Sequence, residues 1–215
     1  MKVLLADDHT IVRQGLRSLL EAKASVTVVG EAADGREALS LADELKPDLV
    51  IMDIAMPGLN GLEALQQLNT SCPAVKTIIL SMHVEENYVT RALRSGASGF
   101  VYKGSAFDDL ELAMRAVLNG EVFLSAAVSQ VLVDGLLNSS TGEEAEKGMF
   151  ERLSPREREI MQLFAEGKTR AEIAEVLSIS VKTVDRHKEN LKDKLALKND
   201  EQIACMAQKF GLTGM

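Results

Sequence analysis

The sequence predicts a doubly wound α/β domain followed by a small all-α domain. Over the first 120 or so residues, short apolar runs alternate five times with stretches whose apolar residues recur at helical spacing. Beyond a polar, acidic segment the strand signals stop and four short helical patterns follow. Charge divides at the same place. Residues 1–150 hold 12 Lys and Arg against 21 Asp and Glu, net −9, whereas residues 151–215 hold 12 against 11, net +1.

The strand candidates are Val3–Ala6, Val26–Gly30, Leu49–Met52, Thr77–Leu80 and Gly99–Val101. Each is predominantly apolar, as suits parallel strands covered on both faces. The intervening helical stripes are Ile11, Val12, Leu16, Leu19 and Leu20; then Ala38, Leu41, Ala42 and Leu45; then Leu62, Leu65 and Leu68. Val89, Ala92 and Leu93 make the fourth, and Leu110, Ala113, Met114 and Val117 the fifth. Right-handed crossovers restrict the topology further. A flavodoxin-like (βα)5 sheet of order 2-1-3-4-5 is expected.

Leu124–Asn138 is a further helical stretch, and Ser139–Gly148 (SSTGEEAEKG) reads as a flexible linker, with nothing to bury. Next, Ser154 caps a helix, Pro155 occupies its first turn and Glu157 completes a capping box. Ile160, Met161, Leu163 and Phe164 form its apolar face, and Gly167 ends it. Ile173, Ala174 and Leu177 mark a second helix. Ser180 caps a third, with Val181, Val184, Leu191 and Leu195 inward, and a fourth carries Ile203, Ala204, Ala207 and Phe210. The tight turn Ser178–Ile179–Ser180 separates the second from the third, as in a helix-turn-helix. The expected division is residues 1–122, a joining segment 123–149 that is helical and then flexible, and residues 150–215.

Composition narrows the function classes. The 215 residues suit two small domains. No apolar run approaches the ~18 residues of a membrane span, the MKVLLADD start is too short for an export signal, and Cys72 and Cys205 have no metal-ligand spacing. A reduced cytoplasmic chain with no membrane partner is the expectation. Neither GxGxxG nor GxxxxGK[ST] occurs.

Asp7 and Asp8 follow the first strand, Asp53 ends the third, Ser81 ends the fourth and Lys103 follows the fifth. All five lie at carboxyl ends of strands, where open α/β sheets bind ligands. Three carboxylates in one crevice repel and need positive charge. Lys103 supplies one charge and Mg2+ suits the rest, being a hard ion that binds oxygen. A carboxylate set among these groups is equipped to accept a phosphoryl group, with Ser81 donating to the product. For Asp7 and Asp8 alone, capping of the first helix is an alternative role. An aspartyl-phosphate phosphatase would need a second acid two residues after Asp53, where Ala55 stands.

The DDH at 7–9, the strand–Asp–MPGLNG segment, Ser81 and Lys103 resemble a bacterial response-regulator receiver domain over residues 1 to about 122. The resemblance implies that Asp53 is the phospho-acceptor and that Asp7, Asp8, Asp53 and the Ala55 carbonyl hold Mg2+. It further implies that Lys103 and Ser81 stabilise the phosphoryl group, and that Ser81 and Phe100 form a switch pair. Gly104 follows Lys103 where many receivers have proline, and Phe100 replaces the commoner tyrosine. Residues 150 to about 213 resemble the LuxR-type helix-turn-helix, so the whole chain resembles a NarL/FixJ family transcription regulator. The implied partners are a histidine kinase, double-stranded DNA, RNA polymerase and, on phosphorylation, a second copy of the chain.

On the third helix of that module, the outer face carries Lys182, Asp185, Arg186, Glu189 and Asp193, a poor charge balance for binding phosphate. Arg186 is the candidate for a guanine edge, and Asp185 or Glu189 for accepting from cytosine N4. Phosphate contacts are expected from Lys168, Thr169, Arg170, Lys182, Thr183, Lys192 and Lys194. His187 reads as a packing residue. Ile203, Ala207 and Phe210 offer either a pairing stripe or ordinary core packing. Without the resemblance, a protein-interaction module remains a competing reading of these helices.

Overall fold

The computed structural model describes residues 1–105, 107–138, 149, 150, 152–210 and 212, and the chain forms two compact units, Met1–Leu137 and Asn138–Met215. In the first unit the order is β1 (Lys2–Ala6), α1 (Thr10–Glu21), β2 (Thr27–Ala32), α2 (Gly35–Leu45), β3 (Leu49–Met52), α3 (Gly61–Ser71), β4 (Lys76–Ser81), α4 (Glu86–Arg94), β5 (Gly99–Tyr102), α5 (Phe107–Leu118), β6 (Phe123–Leu124) and α6 (Ala126–Asn138). The strands form one parallel sheet of order β2-β1-β3-β4-β5-β6.

Alternation along the strands divides the core in two. Leu4, Ala6, Val50, Met52, Ile79 and Phe100 face the helices that carry Ala38, Ala42, Leu62, Leu65, Leu68, Val89 and Ala92. Val3, Leu5, Leu49, Ile51, Ile78, Leu80 and Val101 face Leu20, Leu110, Ala113, Met114 and Val117. The predicted helical stripes are therefore buried, except on α1. There Ile11 is 85% exposed and Leu19 is exposed as well, while Leu16 and Leu20 alone of that stripe pack on the second cluster. The rest of that helix is anchored by charge: Arg13 and Arg17 pair with Glu31 on the edge strand β2, Arg17 at 2.7 Å. That pairing also explains why β2 continues past Gly30, where the apolar run stops.

A second difference lies at residues 123–138, read from the sequence as the start of the joining segment. Phe123 and Leu124 instead pair with Gly99 and Phe100 as a sixth strand, and Val128 of α6 is fully buried in the first core. A two-residue strand is too short for any periodicity to reveal it. Because β6 stops there, the Tyr102 amide donates to the Ser125 side-chain oxygen at 3.2 Å, and the Ser125 amide donates to the Phe100 carbonyl at 3.0 Å. The polar linker at 139–148 lies outside the described residues.

The second unit contains α7 (Pro155–Ala165), α8 (Arg170–Val176), α9 (Val181–Leu195) and α10 (Glu201–Lys209). Ser154 and Glu157 form the expected capping box, Thr169 and Glu172 form another, and Ser180 caps α9. Ile160, Leu163, Ile173, Ala174, Leu177 and Val184 make one small core, and Phe150, Leu153, Met161, Leu191, Leu195, Ile203, Ala207, Phe210 and Leu212 the other. Val181 departs from the inward set: at the first position of α9 it is 42% exposed. Ala204 also faces out. Ile203, Ala207 and Phe210 are core residues, with Phe210 edge-on to Phe150 at 4.9 Å, and so are not free to pair with another molecule.

Glu157 joins local capping to tertiary packing. It accepts from the Ser154 amide at 2.7 Å and from Lys194 of α9 at 2.7 Å. Burial raises its pKa, but the bonds from Lys194 and Ser154 outweigh that and leave it lowered. A lowered native pKa stabilises the fold above the carboxylate range, and this is lost as pH falls through it. Glu157→Gln is expected to cost the second unit about 1–3 kcal/mol at neutral pH. In urea titrations of both proteins, that difference shrinks as the buffer is taken below about pH 4. Gly61 opens α3, and a Cβ there would lie 1.9 Å from the Asp53 carbonyl oxygen. Gly61→Ala is therefore expected to destabilise the first unit by about 1–3 kcal/mol, read as a lower Tm in calorimetry.

Candidate functional site

The crevice lies at the carboxyl edge of β1, β3 and β5, at the point where strand order reverses. Asp53 leaves β3 with its amide bonded to the Ala6 carbonyl at 2.8 Å, while its own Oδ1 accepts from the Ile54 amide at 2.7 Å. The loop beyond it closes through Gly61 N–H to the Ile54 carbonyl at 2.9 Å, with Gly58 at φ +73°. Asn60 caps α3. Asp7 is held by its amide on the Ala32 carbonyl at 3.1 Å, and its Oδ1 accepts from the His9 amide at 2.9 Å. Asp7 and Asp53 are each only 3% exposed, whereas Asp8 is open to solvent.

Lys103 closes the cluster. Its amide donates to the Ser81 carbonyl at 2.8 Å, and its ammonium lies 2.6 Å from Asp7 Oδ2 and 2.7 Å from Asp53 Oδ2. Burial raises the Asp53 pKa, helped by Asp7 and opposed by Lys103 and the Ile54 amide. For Lys103, burial works against the charge, but Asp53 and Asp7 prevail and raise its pKa. Ligand atoms of Asp7, Asp8, His9 and Asp53 all lie within 4.8 Å of one another. The carboxylate oxygens of Asp7, Asp8 and Asp53 form a hard donor set that fits Mg2+, whereas the His9 imidazole nitrogen is a softer donor than that ion prefers. His9 Nδ1, 2.7 Å from Asp8 Oδ1, is the member that sequence reasoning did not single out. Its place directly after Asp8 was the available signal.

The remaining receiver positions separate. Ala55 is half-buried in the loop after Asp53. Ser81 is fully buried, and its hydroxyl oxygen accepts from the His83 amide at 3.0 Å, which leaves its proton to donate. Phe100 is fully buried in the first core with Val89 and Val128. Among the described residues no peptide is cis, and the Lys103–Gly104 bond is trans. Gly104 suits its place, since a Cβ there would lie 2.3 Å from the Tyr102 ring.

In the second unit, Lys168, Lys182, Arg186 and Glu189 are exposed. The Thr169 hydroxyl is engaged with Glu172 at 2.7 Å, and Thr183 Oγ1 with Ser180 Oγ at 2.8 Å. Arg170 pairs with Asp185 at 3.2 Å. Lys192 pairs with Asp200 at 3.1 Å, Lys188 pairs with the other oxygen of the same carboxylate, and Lys194 pairs with Glu157. His187 is half-buried, with Nδ1 buried and unbonded among the described residues, in keeping with a packing role. No helix among the described residues is long and apolar enough to cross a membrane.

This fold and site define a flavodoxin-like α/β domain with an acidic crevice, joined to a helix-turn-helix module. Residues 3–115 match the model of the response regulator receiver domain, and residues 151–207 that of the luxR family of bacterial regulatory proteins. The chain belongs to the NarL/FixJ family of response regulators. It is 39% identical over 211 residues to the oxygen regulatory protein NreC of Staphylococcus haemolyticus, spanning 97% of each chain. The NreC of Staphylococcus aureus matches equally. Among solved structures, RcsB of Salmonella enterica serovar Typhimurium, bound to promoter rprA in the presence of phosphomimetic BeF3−, is 31% identical with TM-score 0.63. That match covers 97% of this chain and 98% of the other. A LuxR-family two-component response regulator from Aurantimonas sp. SI85-9A1 is 36% identical with TM-score 0.62, over 64% of this chain and 98% of that one.

Removing the ammonium leaves two buried carboxylates unpaired. Lys103→Met is expected to destabilise the first unit by about 3–5 kcal/mol at neutral pH without divalent cations. Without Lys103 the buried carboxylates hold their protons more tightly still, and protonation removes the unpaired charge, so the loss shrinks as pH falls into the carboxylate range. Denaturant titrations at neutral pH and in that range measure it.

Proposed function

We propose that this chain is a phosphorylation-controlled transcription regulator whose phospho-acceptor is Asp53. The observation that carries the reading is the Lys103 ammonium set between Asp53 and Asp7, with Ser81 beside it on the same sheet edge. The donor is the phosphohistidine of a partner kinase. Asp53 attacks phosphorus through a carboxylate oxygen, the P–N bond breaks, and the histidine nitrogen keeps the electron pair and takes up a proton. Lys103 offsets the incoming phosphoryl charge, and the Ser81 hydroxyl donates to a phosphoryl oxygen. Asp7, Asp8, Asp53 and the Ala55 carbonyl hold Mg2+, which supplies further positive charge against the phosphoryl oxygens when bound. Apart from accepting the phosphoryl group on Asp53, the chain carries out only the slow loss of that group.

The added charge draws Ser81 inward and biases Phe100 between two packings, shifting an existing equilibrium. Ser125 bonds the main chain of both Phe100 and Tyr102, so the start of α6 is tied to that switch. From α6 the bias passes through the linker and favours a homodimer, with surfaces near α4 and α5 involved. The second unit binds double-stranded DNA through α9 in the major groove, at half-sites about one helical turn (~34 Å) apart. Arg186 reads a guanine edge, and Lys168 and Lys182 reach phosphates, with lesser contributions from Thr169, Thr183, Lys192 and Lys194, which are engaged within the protein. RNA polymerase is the downstream partner, and the setting is the cytoplasm. The domain division that serves this reading is a receiver that includes α6, an acidic linker at 139–148 and a DNA-binding domain from about 150.

Asp53→Asn is expected to abolish labelling by a small phosphodonor and to remove donor-dependent dimerisation and DNA binding. Phosphate-affinity gels, light scattering and gel-shift titration measure the three effects. Donor-dependent dimerisation that survives the substitution sinks the assignment.

A further inference from the structure

Three carboxylates sit on the exposed face of α9: Asp185, Glu189 and Asp193. Among the described residues, Asp185 is the one of the three with a cation in ion-pair range. Arg170, at the first position of α8, places Nη1 3.2 Å from Asp185 Oδ1. The two side chains are 59% and 40% exposed, so the pair contributes little to stability. It joins the first turn of α8 to the second turn of the recognition helix, the half whose residues meet base edges in a helix-turn-helix.

Resting on the DNA-binding reading above, we infer that Asp185 is a specificity-determining residue and Arg170 its positioning residue. Together they select cytosine at one position of each half-site. A carboxylate offers acceptors only. In the major groove its good partner is cytosine N4, because adenine sets the N7 acceptor beside its N6 donor, and guanine and thymine present acceptors. A bare carboxylate at this place would also repel the phosphates on either side. Arg170 cancels that charge and holds Oδ1, which leaves Oδ2 to accept from the base. Arg170 is thus bound to Asp185 rather than set aside for phosphate. Glu189 and Asp193, one and two turns further on, have neither the cation nor the position.

The test is selection from a random-sequence duplex library by the full chain treated with a small phosphodonor, followed by sequencing. The wild type is expected to enrich a motif with cytosine fixed at one position of each half-site. Asp185→Asn, whose amide suits adenine N6 and N7, moves the preference there to adenine, with about a tenfold loss on the wild-type site and every other position unchanged. Arg170→Ala weakens selection at that same position without altering the base, and Arg170→Lys restores part of it. The same motif from the wild type and Asp185→Asn overturns the inference while leaving DNA binding intact. A wild type that enriches no motif overturns the DNA-binding reading, and the inference with it.

Discussion

Lys103 sets its ammonium 2.6 Å from Asp7 and 2.7 Å from Asp53, and the first unit is arranged around that contact. Its three members come from β1, β3 and β5, so the contact exists only when the whole sheet is assembled in this order. Two carboxylates buried this deeply in a low-dielectric crevice are tolerable only with the cation between them. The same constraint fixes Asp53 in a buried, positively compensated place, held by the Ile54 amide, with its loop pinned by Gly61.

In the second unit the governing constraint is charge economy. Its basic residues nearly balance its acidic ones, and many are committed within the fold: Lys194 to Glu157, Lys188 and Lys192 to Asp200, Arg156 to Glu159, and Arg170 to Asp185. Electrostatic attraction to DNA from one copy is correspondingly modest, since affinity for the phosphate backbone scales with the cations free to displace counterions. In the dimer proposed above, two copies double the contacts without raising the charge density of either.

Between these units, the joining region carries more structure than its composition suggests. The Ser125 bonds to β5 and the buried Val128 make α6 part of the receiver unit's packing, on the sheet face that also holds Phe100. The main chain of β5 therefore meets the base of α6 directly, through one main-chain hydrogen bond at Phe100 and one from the Tyr102 amide to the Ser125 hydroxyl.

The sequence alone determined the strand–helix alternation, the capping box at Ser154 and Glu157, and the placing of Asp7, Asp53 and Lys103 at one edge of the sheet. Each of these follows from local periodicity or from the rule that polar groups gather at strand carboxyl ends. Only the tertiary structure decided the rest. The two-residue β6 owes its existence to pairing with β5, because its sequence is too short to signal a strand. Ile11 and Leu19 lie outside the core because the edge strand draws α1 in through Glu31. Ile203, Ala207 and Phe210 turn inward onto Phe150. The partners of Arg170, Lys192 and Lys194 lie 15, 8 and 37 residues away along the chain. Such pairings depend on how helices cross, which no period in the sequence encodes.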